Sequence, residues 1–396
     1  MKIASVETFV VGVPPPHFGG RYWIFLKLLT DGGVVGYGEV YSVPFHPHVV
    51  AKMIEDVCAR HVIGADPFQI ERLWRIIYSS GYTQRPDTSI LGILSGIEMA
   101  CWDIIGKEVN KPAYALLGGQ VHEKLRSYTY IYPQPEDETD VYRDAELAAK
   151  RALAYVAWGF TAVKFDPVSY YSAFDPRQLS LEALDHAENF VKTLREAVGS
   201  RADLLFGTHG QMTPSAAIRL AKRLEKYYPL WLEEPTPPDN PIEMAEVARA
   251  TSIPIATGER LATKYEFAQL LHHRSAAIWQ MALGRVGGLL EGKKIASMAE
   301  AHYIQIAPHL YCGPIAAAAD IQLSTCSPNF LIQESILDWG DFHARILKKP
   351  LQWQDGYIIP PTEPGLGVEL DEAVVANYPY EGDKLHLEMV ENPVGP

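Results

Sequence analysis

The chain has 396 residues, 47% of them hydrophobic and 21% charged, with 35 basic and 48 acidic side chains giving a formal charge of −13. That length exceeds what one core usually organises, and the composition excludes a small binding module and a mainly disordered chain. The acidic balance, with no long run of like charge, excludes an electrostatic grip on nucleic acid but leaves room for a small anionic substrate held by local cations or a metal.

Residues 1–125 read as strands followed by helices. SVETFVVGV and YWIFLKLLT are strand-like runs, Asp31-Gly32-Gly33 marks a turn, and VVGYGEV completes a meander. Helical spacing of apolar residues follows in 49–60, in PFQIERLWRIIYSS and in SILGILSGIEMACWDIIGKEV, the last stopped by Lys111-Pro112 and Gly118-Gly119. An N-terminal α+β unit is expected here.

From residue 126 to 350 short β-rich runs alternate with amphipathic helices, the pattern of βαβ units. The runs are SYTYIY, TAVKF, DLLFGTHG, PLWLEEP, IPIATGE, AIWQMA, IQIAPHL and FLIQES. Eight such units close a (β/α) barrel. Residues 351–396 return to strands and turns and are expected to pack back on the first unit.

Cys58, Cys101, Cys312 and Cys326 are far apart and form no CxxC pair, so neither a disulfide framework nor a structural zinc site is indicated. The apolar run Phe9–Val13 is cut off by Pro14-Pro15-Pro16, which fits neither a signal peptide nor a membrane span. A cytoplasmic protein with no membrane or nucleic-acid partner is expected.

In a parallel barrel, chemistry gathers where strands end and βα loops converge. The strand ends carry Lys164, Gly207, His209, Glu233, Glu234, Glu259, Ala282, His309 and Glu334. Carboxylates rarely end apolar strands without a cation or partner. Glu233 and Glu259 therefore point to a divalent cation with oxygen ligands, or to a buried ion network with Lys164 or Arg260. His309, opposite Lys164 and beside two glutamates, is a candidate acid or base.

Several segments, GIEMACWDIIGK, PAYALLGG, WLEEPTPPDN, IPIATGERL, GRVGG and IAPHLYCGPIAAAA, resemble the enolase superfamily in its mandelate racemase branch, closest to the acid-sugar (galactonate-type) dehydratases, and the match runs over nearly the whole chain. The resemblance implies a modified (β/α) TIM-type barrel under an α+β N-terminal capping domain that the C-terminal tail completes. It also implies a magnesium-dependent hydro-lyase: a proton α to a sugar acid's carboxylate is removed, the enediolate meets fixed positive charge, and the β-hydroxyl leaves. On this resemblance Glu233 and Glu259 are metal ligands and His309 is the base. His209 protonates the departing hydroxyl, Lys164 is the second-strand lysine, and Glu334 lies near the substrate carboxylate. A homo-oligomer and a small-molecule sugar acid substrate are further implications.

Two positions depart from that pattern. Gly207 stands where the family has its first carboxylate ligand, and Ala282 where it has an aspartate bonded to the base histidine. Magnesium would then be weakly held or recruit His209, Glu234 or Asp166. The alternatives are an epimerase or cycloisomerase using the same enediolate, a catalytically silent relative, or a different base from Lys164 or Tyr170-Tyr171. Substrate choice is expected from the loops 14–22 and 41–48, where Arg21 could hold a distal hydroxyl or carboxylate, and from the insertion VSYYSAFDPRQL after the second barrel strand.

Overall fold

The computed structural model describes residues 1–41, 43–168 and 170–395. Three antiparallel strands, β1 (Ile3–Gly12), β2 (Tyr22–Thr30) and β3 (Val35–Val40), form the capping sheet in the order β1-β2-β3. Helices α1 (Pro47–Val57), α2 (Ile70–Tyr78) and α3 (Thr88–Glu108) follow, then the short α4 (Ala113–Leu116). Asp87 caps α3, accepting from the Ser89 and Ile90 amides at 2.8 and 3.1 Å.

α3 is buried along most of its length and mostly apolar, with Glu98 and Asp103 as its buried acids. Among the described residues it is the single helix long and apolar enough to cross a membrane, yet 89% of that apolar window is buried inside the protein. Two glycines of β3 let it pack backbone to backbone. A Cβ on Gly38 would meet the Gly96 carbonyl oxygen at 1.8 Å, and one on Gly36 the Ala100 carbonyl oxygen at 2.2 Å.

The barrel strands are β4 (Leu125–Tyr130), β5 (Ala162–Phe165), β6 (Asp203–Gly207), β7 (Trp231–Glu233), β8 (Ile255–Thr257), β9 (Ile278–Trp279), β10 (Gln305–Ile306) and β11 (Gln333–Ser335). They run parallel in chain order from β4 to β10, and β11 pairs with β4. Closure between β10 and β11 comes from the Ile306–Phe330 bridge and the Leu331 amide donating to the Ile306 carbonyl. Outside lie α5 (Ala145–Trp158), α6 (Leu181–Val198), α7 (Pro214–Leu224), α8 (Pro241–Ala250), α9 (Thr263–His273), the short α10 (Leu283–Val286), α11 (Leu289–Glu300) and α12 (Pro314–Thr325). This is the α/β barrel with an N-terminal capping unit that the sequence leads one to expect.

The barrel interior is plugged by one residue from or beside each strand: Tyr128, Leu205, Trp231, Ile278 and Ile332, with Ala162, Ala256 and Ala307 filling the narrower gaps. All four cysteines are buried and unpaired.

Two buried glutamates join the capping unit to the barrel by capping barrel helices. Glu39, at the end of β3, accepts from the Gly313 and Ala316 amides at 2.5 and 2.9 Å at the start of α12. Glu98, in α3, accepts from the Leu289 and Leu290 amides at 2.6 and 2.9 Å at the start of α11. The positive ends of both helices therefore meet carboxylates.

After the barrel the chain first forms a hairpin, β12 (Gln352–Gln354) and β13 (Tyr357–Ile359), which pairs antiparallel with the start of β4. It then returns to the capping unit, where Glu372 accepts from Tyr37 Oη at 2.5 Å and pairs with Lys27 at 2.8 Å. The last stretch crosses the mouth side of the molecule. His386 lies between the Tyr22 and Tyr311 carbonyl oxygens at 3.0 and 2.8 Å, and the Val390 amide donates to the Tyr171 carbonyl.

Candidate active site

Side chains alternate along a strand, so two residues beyond the apolar plug the same inward face recurs. There the plug gives way to a polar layer: Lys164 on β5, Gly207 on β6, Glu233 on β7, Gln280 after β9, His309 after β10 and Glu334 on β11. The side-chain contacts agree with that placement. Lys164 Nζ lies 2.5 Å from Glu233 Oε1 and 3.5 Å from Glu334 Oε1. Gln280 Nε2 donates to Glu233 Oε2 at 2.8 Å, and Trp231 Nε1 to the same oxygen at 2.9 Å. Glu334 Oε2 accepts from the Leu310 amide at 2.8 Å.

Glu259 lies just past β8 and faces His309, its Oε2 3.4 Å from His309 Nε2. The same imidazole nitrogen is 3.9 Å from Glu334 Oε2. His309 Nδ1 is buried without a hydrogen-bond partner. Tyr41, from the capping loop, packs its ring 5.8 Å from the His309 ring, and the Arg285 guanidinium sits 4.8 Å over Tyr41. The chain thus roofs His309 with an aromatic ring and a cation from two different units.

His209 adopts a left-handed backbone, with φ of 51°. Its Nδ1 is 3.0 Å from Asp166 Oδ2, and its ring lies 4.9 Å from that of Tyr171 in the insertion. Asp166 stands two residues beyond Lys164 and is itself fixed by the Val168 amide at 3.1 Å. Glu234, beside Glu233, turns away: it accepts from Thr257 Oγ1, from the Gly258 amide at 3.2 Å and from Arg260 Nη2 at 2.6 Å.

These surroundings push the two histidines in opposite directions. Burial lowers the pKa of His309, and the charges of Glu259 and Glu334 only partly offset it, so the ring is held below its ordinary value. Burial also works against a charged His209, but the hydrogen bond to Asp166 and the charge of Glu259 outweigh it and hold that ring above its ordinary value. Lys164 loses hydration on burial, yet Glu233, Glu334 and Glu259 reverse that effect and keep it an ammonium. Burial pushes the Glu233 carboxyl up to about 7 against the charge of Lys164. Glu259, although buried, is held well below the usual carboxylate range by His309, His209, Lys164 and Arg260.

The residues present do not make the magnesium cage that the resemblance implies. Such a cage needs about six oxygen ligands with high negative charge. Gly207, paired in register with Glu233, offers no side chain. Glu233 has both oxygens engaged, one of them by an ammonium. Of the substitutes considered from the sequence, Glu234 is tied to Arg260, and Asp166 and His209 are tied to each other. Among the described residues no three histidine, cysteine or acidic side chains converge as a metal shell would require.

The structure therefore brings together Lys164, Glu233, Glu259, His309 and Glu334, while His209 is bonded to Asp166. It leaves Arg21 exposed, with no hydrogen bond or ion pair from its side chain to this cluster. Two contributors carry no clear mark in the sequence: Gln280 has only a period-2 relation to an inward neighbour, and Arg285 has none, whereas Asp166 was a candidate substitute ligand and Tyr41 begins the loop 41–48.

The sequence pattern described as "Mandelate racemase / muconate lactonizing enzyme, N-terminal domain" matches residues 18–118, and the one described as "Enolase C-terminal domain-like" matches residues 147–374. A protein from Labrenzia alexandrii DFL-11, provisionally named a mandelate racemase/muconate lactonizing enzyme, is 60% identical over 100% of both chains, with a TM-score of 0.98. A mandelate racemase/muconate lactonizing enzyme from Sulfitobacter sp is 50% identical over 100% of both chains, with a TM-score of 0.97. A protein from Salmonella enterica serovar Typhimurium, provisionally named a dehydratase, is 31% identical over 95% of this chain and 98% of its own, with a TM-score of 0.88. By sequence, by fold and by the placement of its polar layer, the chain belongs to the mandelate racemase/muconate lactonizing enzyme family of the enolase superfamily.

Proposed function

We propose that the chain is an acid-sugar dehydratase, a hydro-lyase of the galactonate type. One observation carries this reading. His209 is bonded to Asp166, which raises its proton affinity, whereas His309, held below its ordinary pKa by burial, presents Nε2 to the same strand-end layer beside Glu259. Two titratable groups driven apart by their surroundings are the mark of an acid and base working on one substrate.

In this reading His309 Nε2 removes the proton α to the substrate carboxylate. The imidazolium so formed lies against Glu259 and Glu334, which stabilise it. The C–H electron pair moves into the carboxylate, giving an enediolate. Its collapse forms a carbon–carbon double bond and expels the β-hydroxyl, which takes a proton from His209 and leaves as water. The enol then tautomerises to a 2-keto-3-deoxy acid, so sugar acid in equals keto acid plus water out.

The test is a panel of aldonic and aldaric acids incubated with the purified chain and assayed for 2-keto-3-deoxy product. At least one acid is expected to be dehydrated. A folded protein that turns over none of them would contradict the dehydratase reading. Exchange of the α-proton with no elimination would assign an epimerase instead.

A further inference from the structure

The two departures from the family pattern, Gly207 and Ala282, lie on different strands and look unrelated in sequence. In the structure they meet at two carboxylates. Glu233, opposite Gly207, has Lys164 Nζ at 2.5 Å on one oxygen and the Trp231 and Gln280 donors on the other. Glu259 has His309 Nε2 at 3.4 Å, and Ala282 supplies that histidine with nothing.

We propose that this site works without a divalent metal, with the Lys164 ammonium as its fixed cation. Gly207 in place of the first ligand leaves Glu233 to that ammonium, while Glu259 Oε2, which has no hydrogen-bond partner, faces the His309 Nε2 that acts as the base.

The cation is replaced along with the cage. Lys164 Nζ spans Glu233 and Glu334 from a position that is 2% exposed, so it is a fixed charge in a water-poor setting, where charge acts most strongly. A divalent ion beside it would meet repulsion from the ammonium and find only one uncommitted carboxylate. Lys164 transfers no proton in this scheme; it balances charge developing on the substrate carboxylate. An aspartate at 207 would have its Cβ 3.1 Å from Lys164 Cε, so the ammonium stands at the edge of the missing ligand's place.

The proposal deepens the dehydratase reading and rests on it for the identity of the charge being stabilised, but its test does not need a substrate. The full chain, stripped with EDTA, is titrated calorimetrically with magnesium and with manganese. The expected result is no site tighter than about 1 mM. One site per chain with a Kd of order 10 μM would overturn the proposal whether or not a substrate is ever found. An empty substrate screen with no metal binding would sink the dehydratase reading alone.

Discussion

Lys164 Nζ and Glu233 Oε1 are 2.5 Å apart, and both side chains are at most 2% exposed. Removing one member of a buried pair leaves an uncompensated charge. Lys164→Met should therefore lower the unfolding free energy by about 3–5 kcal/mol in urea denaturation. Lys164→Met combined with Glu233→Gln should recover part of that loss, because the stranded carboxylate is gone. A single variant as stable as the parent would show that the pair contributes no net charge compensation.

Asp166 gives His209 its proton affinity, through a contact of 3.0 Å. If His209 is the acid, activity falls on the alkaline side as this ring deprotonates. Asp166→Asn keeps a hydrogen-bonding group but removes the charge, so the alkaline limb of the kcat/KM profile should move down by about one pH unit or more. An unmoved limb would separate Asp166 from the acid.

Glu39 and Glu98 cap barrel helices from inside the interface, and burial pushes each carboxyl up to about 7 from 4.5. Their folded pKa values are raised above the unfolded ones. The stability they contribute is thus fully present below the unfolded value and lost as pH rises through the folded value, by about 3 kcal/mol per group. Urea unfolding between about pH 5 and pH 8 should show a shallower loss in Glu39→Gln than in the parent, even though the variant is weaker at low pH. Parallel slopes would contradict the assignment.

The barrel was legible because most of the apolar runs carry a charged or small polar residue at their ends, where Lys164, Glu233, Glu259, His309 and Glu334 sit. Strand lengths were less legible. AIWQMA reads as a six-residue strand, but only Ile278–Trp279 keeps ladder pairing on both sides, and the rest bends into the site. The tail reads as packing back on the first unit, whereas its hairpin first joins β4, where Trp353 packs 4.8 Å from Phe160. An ion network of Glu233 and Glu259 with Lys164 or Arg260 was legible only as an alternative to a metal site, and which partner each takes was not. Lys164 meets Glu233 from 69 residues away, and Glu259 meets His309 from 50 residues further along, distances at which no local period carries information. Asp166 was visible as an acid, but its commitment to His209 depends on the left-handed turn at 209.

The central claim is that two histidines divide the proton transfers, and one measurement addresses it directly. With an acid found in the screen, α-proton exchange in deuterated water and 2-keto-3-deoxy product are followed together in the parent, in His209→Asn and in His309→Asn. His209→Asn should keep exchange while losing elimination, and His309→Asn should lose both. Loss of exchange in His209→Asn, or its survival in His309→Asn, would contradict the assignment of base and acid.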